Sequence, residues 1–175
     1  MSNALSNTLR LGLQLWTVRE LAERDLAGTL KQLRDIGCDA IEIFGDGPAF
    51  YQEMQVALQA SEMACCSAHV PFLALRNELA RIIAGLQSIS CNMAVVPAFP
   101  REWRDTPAKA LQLALDLNRI GERLRNAGIA FAYHNEDYDF APLGDSTLWQ
   151  MLVANTDASL VQLQLDVFTA ALMGA

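Results

Sequence analysis

Short apolar runs alternate along the chain with longer stretches in which apolar residues recur every three or four positions. The short runs have the length and the flanking turn residues of buried strands, and the longer stretches have the period of amphipathic helices. The pattern predicts six strands, at 11–17, 40–44, 63–70, 92–99, 129–136 and 161–168. It predicts helices between them, at 25–36, 49–62, 77–88, 107–126 and 146–154. The chain is therefore predicted to repeat one strand–helix unit along its length.

Local signals indicate where several of these helices begin and end. Asp25 can cap the first helix through its side chain, and Gly37 follows that helix in the usual C-terminal position. Pro107 lies near the start of the long fourth helix, where a missing N–H is tolerated. In that helix we expect one buried stripe, formed by Leu111, Leu115, Ile120 and Leu124.

Repetition of strand and helix implies a parallel sheet with right-handed crossovers, for which a doubly wound open sheet and a (β/α)₈ barrel compete. No glycine-rich phosphate-binding motif follows any strand, which weakens the case for a nucleotide-binding open sheet. Polar residues stand at the C-terminal ends of nearly all strands, where barrel enzymes build their active sites. They are Thr17, Glu42, His69, His134, Glu136 and Asp166. We therefore predict an α/β fold of the (β/α)₈ TIM-barrel type.

The chain of 175 residues is shorter than a complete barrel, which needs about 250 residues and eight strand–helix units. We expect residues 1–175 to form a single incomplete barrel domain of about six units with parallel strands, lacking the last two units. Residues 169–175 look like the start of a helix or a loop that is cut off. Six units leave two strand edges open, which offers a route to a homodimer through those edges.

The formal net charge is −7, and only 19% of the residues are charged. An acidic surface repels phosphate backbones and anionic headgroups, so we expect neither nucleic acid nor a membrane as a partner. No segment reaches the roughly 18 continuous apolar residues of a membrane-spanning helix, and residues 1–10 lack the apolar centre of a signal peptide. We expect a cytoplasmic protein whose four cysteines are reduced.

Three strands carry residues suited to bind a metal ion or to move protons. Glu42 lies within an apolar strand, where a carboxylate is costly unless it is paired or faces a polar pocket. His134 and Glu136 share one face of the fifth strand, and Asp166 ends the sixth. His, Glu and Asp at neighbouring strand ends are nitrogen and oxygen ligands suited to Mn²⁺, Mg²⁺, Zn²⁺ or Co²⁺. The alternative is a surface loop cluster with one acid at a strand end.

Three further residues are candidates for contact with a substrate. His69 ends the third strand, where it is either a contact at the barrel mouth or a histidine satisfied by the core. Trp16 ends the first strand, where an aromatic ring caps the core or provides a wall for a sugar. Trp103 lies in the loop after the fourth strand and either closes over a ligand or anchors the packing.

Several segments resemble the sugar phosphate isomerase/epimerase family, whose members have the xylose isomerase-like barrel. They are Gly-Leu-Gln-Leu-Trp-Thr-Val-Arg (12–19), Leu-Arg-Asp-Ile-Gly-Cys-Asp-Ala-Ile-Glu-Ile (33–43), Ala-His-Val-Pro (68–71) and Leu-Gln-Leu-Asp-Val (163–167). Tyr-His-Asn-Glu-Asp-Tyr-Asp-Phe (133–140) is similar to a Tyr-His-Asn-His-Asp-Phe-Glu-Phe signature of one subgroup. The resemblance covers essentially the whole chain.

The resemblance implies a divalent metal, Mn²⁺, Mg²⁺, Co²⁺ or Zn²⁺, held by Glu, Asp, His and Glu from four late strands. It places the Asp at Asp166, while the first Glu falls on His134, a departure that the subgroup shares. The subgroup's second His is Glu136 in this chain. The last His and Glu would belong to strands seven and eight, which the chain lacks. At most half of the ligand set is therefore expected, and the metal need not be retained.

The resemblance also implies a metal-dependent isomerase or epimerase that acts on a sugar or sugar phosphate through an ene-diolate. Glu136 and Glu42 are then the catalytic candidates, and the partner is a small carbohydrate. Two alternatives are a polyol dehydratase of the same fold and a non-catalytic truncated barrel that folds or dimerises without turnover. A DNA-repair endonuclease shares this fold, but the acidic charge and the lack of a basic strip argue against it.

Overall fold

The computed structural model describes residues 11–175, in which six parallel strands form one sheet. These strands are β1 (Gly12–Gln14), β2 (Ala40–Phe44), β3 (Ala64–His69), β4 (Met93–Val96), β5 (Ala130–His134) and β8 (Gln162–Gln164). Strands β6 (Pro142–Leu143) and β7 (Ser146–Thr147) form a small antiparallel pair after β5. The sheet order β1-β2-β3-β4-β5-β8 follows the chain without reversal. That order is an open barrel arc, because a doubly wound sheet reverses direction at a switch point.

Helices connect successive strands of the sheet. They are α1 (Arg19–Arg24), α2 (Leu26–Asp35), α3 (Pro48–Ser61), α4 (Phe72–Asn77), α5 (Leu79–Ser88), α6 (Pro107–Asn126), α7 (Leu148–Asn155) and α8 (Val167–Leu172). The predicted incomplete α/β barrel is thus confirmed. Within residues 11–175, no helix is both long enough and apolar enough to cross a membrane. The prediction about a signal peptide concerns residues 1–10 and lies outside the described part.

The predicted helix boundaries are largely confirmed, with one additional short helix. The Asp25 carboxylate accepts a hydrogen bond from the Gly28 N–H at 2.9 Å and begins α2. Gly37 follows α2 with a φ of +98°, a conformation that favours glycine. The helix predicted at 77–88 is α5, and the short α4 before it was not predicted. Of the helix or loop predicted near the C-terminus, the structure has a helix, α8, which begins earlier, at Val167.

The predicted buried stripe of α6 is wrong for two of its four leucine and isoleucine positions. Leu111 and Leu115 are 43% and 50% exposed, whereas Ile120 and Leu124 are buried as predicted. Leu113 and Leu117 face the core as well, along with small residues of the same helix. The helix is apolar on more than one face, and its period alone does not say which face meets the sheet.

The apolar core lies between the sheet and the helices, and this leaves the other face of the sheet free for a site. Ile41 and Ile43 of β2 are fully buried on the helix side. Since side chains alternate along a strand, Glu42 between them points to the opposite, inner face. The register pairs Gln14 with Glu42 and Glu42 with Ser67, so the polar inner residues of adjacent strands are neighbours.

The first and last sheet strands end earlier than predicted. β1 stops at Gln14, whose side-chain oxygen accepts from the Trp16 N–H at 2.5 Å and starts a 3₁₀ turn. β8 stops at Gln164, and Asp166 then caps α8 instead of ending the strand. Trp16 and Asp166 are therefore held by turns that follow the strands.

Candidate active site

A cleft of about 840 Å³ lies at the C-terminal ends of the sheet strands. Its walls come from β1, β2, β3, β5 and β8, from the turns after them and from the segment after β4. Six of the seven predicted site residues line it: Trp16, Glu42, His69, His134, Glu136 and Asp166. Residues distant in sequence thus meet in one concave site, as expected when parallel strands end at the same edge. Their individual roles stay predictions.

Trp103 is the predicted site residue that is not part of the cleft lining. Its ring packs edge-on against Phe72, with centroids 5.5 Å apart, and the Arg76 guanidinium lies 4.5 Å from its centroid. These contacts favour the second of the two readings given for Trp103, an anchor for packing.

Glu42 and His69 form a buried ion pair on the floor of the cleft. The Glu42 Oε1 atom lies 3.1 Å from His69 Nε2. Glu42 Oε2 accepts hydrogen bonds from the Ser67 hydroxyl and the Gln164 amide, each at 2.5 Å. The Gln164 carbonyl oxygen lies 2.8 Å from His69 Nε2, and Gln14 Nε2 lies 3.4 Å from His69 Nδ1. Every carboxylate oxygen of Glu42 is therefore engaged by the protein itself.

The surroundings of this pair favour its charged form. Burial by itself would raise the pKa of Glu42, but the His69 hydrogen bond and charge, with Ser67 and Gln164, hold that pKa below its ordinary value of 4.5. Burial would likewise lower the pKa of His69, but the Glu42 hydrogen bond and charge raise it above its ordinary value of 6.5. Both shifts therefore favour the charged form of the pair, an imidazolium beside a carboxylate.

These opposite shifts predict how stability depends on pH. The contribution of Glu42 is present above pH 4.5 and lost as the pH falls through its lowered pKa. The contribution of His69 is fully present below pH 6.5 and lost as the pH rises through its raised pKa. We expect the pair to stabilise the fold most between about pH 4.5 and 6.5. Urea unfolding of the wild type and of a Glu42→Gln/His69→Gln double variant from about pH 3 to about pH 9 measures the difference in stability. A difference that decreases on neither side of the interval from about pH 4.5 to about pH 6.5 would contradict the prediction.

His134 and Asp166 meet on the side wall of the cleft. Asp166 Oδ2 lies 3.9 Å from His134 Nε2 and accepts a hydrogen bond from the Thr169 hydroxyl at 2.8 Å. The buried Asn135 side chain holds this arrangement, because its oxygen accepts from the Asp166 N–H at 2.8 Å and its nitrogen donates to the Asp166 carbonyl at 3.3 Å. Asn135 therefore positions Asp166 beside His134.

The three titratable groups on this wall differ in their preferred charge. Burial and the nearby charge of His69 lower the pKa of His134, so its imidazole is neutral at neutral pH. The Thr169 N–H bond lowers the pKa of Asp166. Burial, with Asp137 and Asp166 nearby, raises the pKa of Glu136 above 4.5. A neutral imidazole and two carboxylates thus face the imidazolium of His69, whose ring lies 5.1 Å from that of His134.

A divalent cation in the cleft would require several nitrogen or oxygen ligands from side chains that have no other partner. His134 and Asp166 supply one nitrogen and one carboxylate, and Glu42 is already occupied by its three partners. Within residues 11–175, no group of three or more His, Cys, Asp or Glu residues is arranged to hold a metal ion. Dedicated protein sites for Zn²⁺ or Ca²⁺ use three or more protein ligands. The described residues therefore do not by themselves form a complete metal site.

An aromatic wall stands opposite these polar groups. The rings of Trp16 and Phe44 meet edge-on with centroids 4.9 Å apart, and both line the cleft. Trp16 is 54% exposed, so its ring is accessible from the cleft. Such a surface suits the apolar C–H face of a sugar ring.

Sequence reasoning did not single out four residues that organise this site. They are Gln14, Ser67, Asn135 and Gln164. Gln164 shares the face of Asp166 in the alternation of the last strand, and this signal pointed towards the cleft. Ser67 and Asn135 carry no comparable signal, because their roles depend on partners 25 and 31 positions away along the chain.

No protein-family model matches this sequence. No curated protein sequence matches it either. Solved structures do match. A sugar phosphate isomerase/epimerase from Parabacteroides distasonis is 19% identical with a TM-score of 0.84, and the alignment covers 99% of this chain and 71% of that protein.

Two other solved structures show the range of proteins with this fold. A family 2 AP endonuclease from Brucella melitensis is 12% identical, with a TM-score of 0.73 over 95% of this chain and 71% of that protein. A xylose isomerase-like TIM barrel protein from Mycobacterium smegmatis, solved in complex with magnesium, is 15% identical, with a TM-score of 0.63 over 90% of this chain and 64% of that protein. The fold of this chain is therefore that of the xylose isomerase-like barrels, as the sequence resemblance predicted. The subgroup assignment stays a prediction.

Proposed function

We propose that this chain binds a sugar in the cleft and serves a sugar isomerase or epimerase reaction. The observation that carries the proposal is the meeting of six predicted site residues, from five strand ends, in one cleft. The fold, shared with a protein described as a sugar phosphate isomerase/epimerase, adds support. The cleft has the size and mixed lining of small-molecule sites.

The proposed reaction moves a proton between neighbouring carbons of the sugar through an ene-diolate. Glu136 is the proposed base, because its carboxylate lines the cleft and burial raises its pKa above the ordinary value of 4.5. For Glu42 we propose a positioning role, since both of its oxygens are engaged by His69, Ser67 and Gln164. It would act by holding the His69 imidazolium towards the substrate.

Binding and turnover together test this function. The purified protein is incubated in D₂O with a panel of aldoses and ketoses, and NMR follows isomerised products and deuterium at the carbon next to the carbonyl. We expect exchange or isomerisation of at least one sugar, and a dehydrated product would identify a polyol dehydratase instead. If no sugar binds or exchanges, a non-catalytic chain is the better description.

We propose that any divalent metal binds weakly, between His134 and Asp166. When bound, a divalent ion would polarise a sugar oxygen. We expect 1 mM Mn²⁺ to raise the melting temperature by less than about 2 °C, because a ligand present at its Kd adds only about 0.4 kcal/mol. His134→Ala should remove even this shift. A rise of more than about 5 °C that disappears in His134→Ala would show that the chain holds a full site.

We propose that two copies of the chain associate through the open edges of the sheet. Among the described residues, β1 and β8 each have a strand partner on one side only. Next to β8 lies a cluster of exposed apolar side chains: Leu163, Leu165, Val167, Phe168 and Leu172. Unpaired backbone groups beside apolar side chains favour pairing between chains, and a second copy supplies matching edges.

Sedimentation analysis of the 175-residue protein tests the dimer. We expect a dimer for the wild type and for Val56→Lys, which adds a charge at an exposed position of α3. Phe168→Lys should shift the protein towards the monomer, because it places a charge in the apolar cluster. A wild type that sediments as a monomer at about 100 μM would contradict the proposal.

We also propose a cytoplasmic location. The four cysteines lie within the described residues and are all free thiols. Free thiols are retained in reducing compartments, which supports this placement.

A further inference from the structure

The charge of the cleft lining bears on which sugars it accepts. Within residues 11–175, the lining includes three carboxylates, from Glu42, Glu136 and Asp166, and no lysine or arginine. Protonated His69 balances one of these charges through its ion pair with Glu42. The remaining two carboxylates leave the cleft negative.

Two arginines that follow or approach residues of the site, Arg19 and Arg104, are held by contacts of their own. Arg19 donates to the Trp16 carbonyl at 2.9 Å, and its guanidinium lies 4.6 Å from the Trp16 ring centroid. Arg104 donates to the Phe99 carbonyl at 3.0 Å, and its guanidinium lies 3.4 Å above the ring of Tyr138. Neither residue is part of the cleft lining.

The N-terminus of α8, at one side of the cleft, is a poor place for a second anion. Its Thr169 N–H donates to the Asp166 carboxylate at 3.0 Å, so a phosphate there would lie against that carboxylate. Helix α4 also begins at the lining, after Pro71, but it spans only six residues.

The neutral groups of the lining suit hydroxyls and C–H bonds. Gln14, Gln164 and Thr17 offer amide and hydroxyl groups, and Trp16 with Phe44 offers an apolar wall. Hydroxyls bind such neutral donors and acceptors without a net charge.

We infer that the cleft accepts an unphosphorylated, neutral sugar and discriminates against the corresponding sugar phosphate. This inference rests on the proposed function. A phosphate monoester carries about −1.5 to −2 charges at pH 7, which would face the carboxylates of Glu136 and Asp166 without a cation. We expect the free sugar to bind at least about tenfold more tightly than its phosphate ester.

Matched pairs of ligands test the inference. Isothermal titration compares D-fructose, D-ribulose and D-glucose, each beside its terminal phosphate ester, at about 50 and 300 mM salt. We expect the free sugar of at least one pair to bind more tightly, with a preference that shrinks at high salt because screening weakens the repulsion. Equal or tighter binding of the phosphate ester overturns the inference and leaves the proposed function standing. Absence of binding by all six ligands overturns the proposed function itself.

A variant with an added cation provides a second measurement. Ala98 is exposed and lines the cleft, so Ala98→Lys introduces an ammonium group there. We expect its preference for the free sugar to fall about tenfold, while Ala154→Lys on the exposed side of α7 keeps the preference of the wild type. An unchanged preference in Ala98→Lys would count against an electrostatic origin and overturn the inference.

Discussion

Replacing Glu42 with alanine should lower the melting temperature by roughly 6–12 °C. The substitution leaves the His69 imidazolium buried without its carboxylate, and Ser67 and Gln164 lose their shared acceptor. Breaking a buried ion pair from one side costs about 3–5 kcal/mol, and the lower end applies because the pair borders an open cleft. About 3 kcal/mol corresponds to this temperature shift for a chain of this length.

Three comparisons separate the ion pair from other effects of the substitution. Glu122→Ala removes an exposed glutamate from α6 and should change the melting temperature by less than about 1 °C. Glu42→Gln keeps the side-chain volume and one acceptor, so its loss should be smaller than that of Glu42→Ala. A double-mutant cycle of Glu42→Gln with His69→Gln then gives the coupling free energy of the pair. A Glu42→Ala protein as stable as Glu122→Ala would contradict the ion pair.

Replacing Glu136 with glutamine should lower turnover of a sugar substrate by about 10²–10⁴-fold and leave KM nearly unchanged. The amide keeps the shape and hydrogen bonding of the side chain but cannot accept a proton from carbon. The prediction follows from the place of Glu136 in the cleft lining, beside the wall formed by His134 and Asp166. Deuterium exchange into the substrate from D₂O should fall by the same factor as turnover, because both depend on the same proton transfer.

Asp145 provides a matched control for this experiment. Asp145 is an exposed carboxylate outside the cleft lining, so Asp145→Asn should retain turnover within about threefold of the wild type. If Glu136→Gln retains the exchange rate of the wild type, Glu136 is not the base. The next variant to measure is then Glu42→Gln, whose effect on exchange would show whether that carboxylate takes part directly.

The proposed weak metal binding and the proposed preference for a neutral sugar are related through the charge of the cleft. A neutral sugar without a tightly held cation leaves the His69 imidazolium as the positive group on the cleft floor. Such a group can donate a hydrogen bond to a sugar oxygen. Glu42 would then determine the position of this hydrogen-bond donor, because its ion pair with His69 orients the imidazole ring.

The fold could be predicted largely from the sequence because its signals are local. Alternation of short apolar runs with helical periods defined the strand–helix repeat, and Asp25 and Gly37 marked the ends of one helix as the structure has them. The polar strand ends identified the edge where the cleft lies, since parallel strands carry their C-termini on one side. Each of these properties depends on residues close together in the chain.

The tertiary structure determined which face of a helix is buried and which residues form hydrogen bonds with one another. Leu111 and Leu115 have the correct helical period but face solvent, because the packing of α6 against the sheet selected Leu113 and Leu117. Asp166 follows an alternating run of apolar and polar residues that is typical of a strand. Two hydrogen bonds between the Asn135 side chain and the Asp166 backbone nevertheless hold Asp166 in the turn where it caps α8. No local pattern distinguishes these outcomes.

The amino-acid sequence by itself determined the strand–helix repeat, the barrel type and the six residues that meet in the cleft. The tertiary structure alone decided which of these residues are engaged with one another. Glu42 was placed by sequence among the catalytic candidates, and its oxygens are taken by Ser67, His69 and Gln164. Gln164 lies 122 positions from Glu42 in the chain. A contact over such a separation is fixed by the register and curvature of the whole sheet, and these properties arise only when all six strands have assembled.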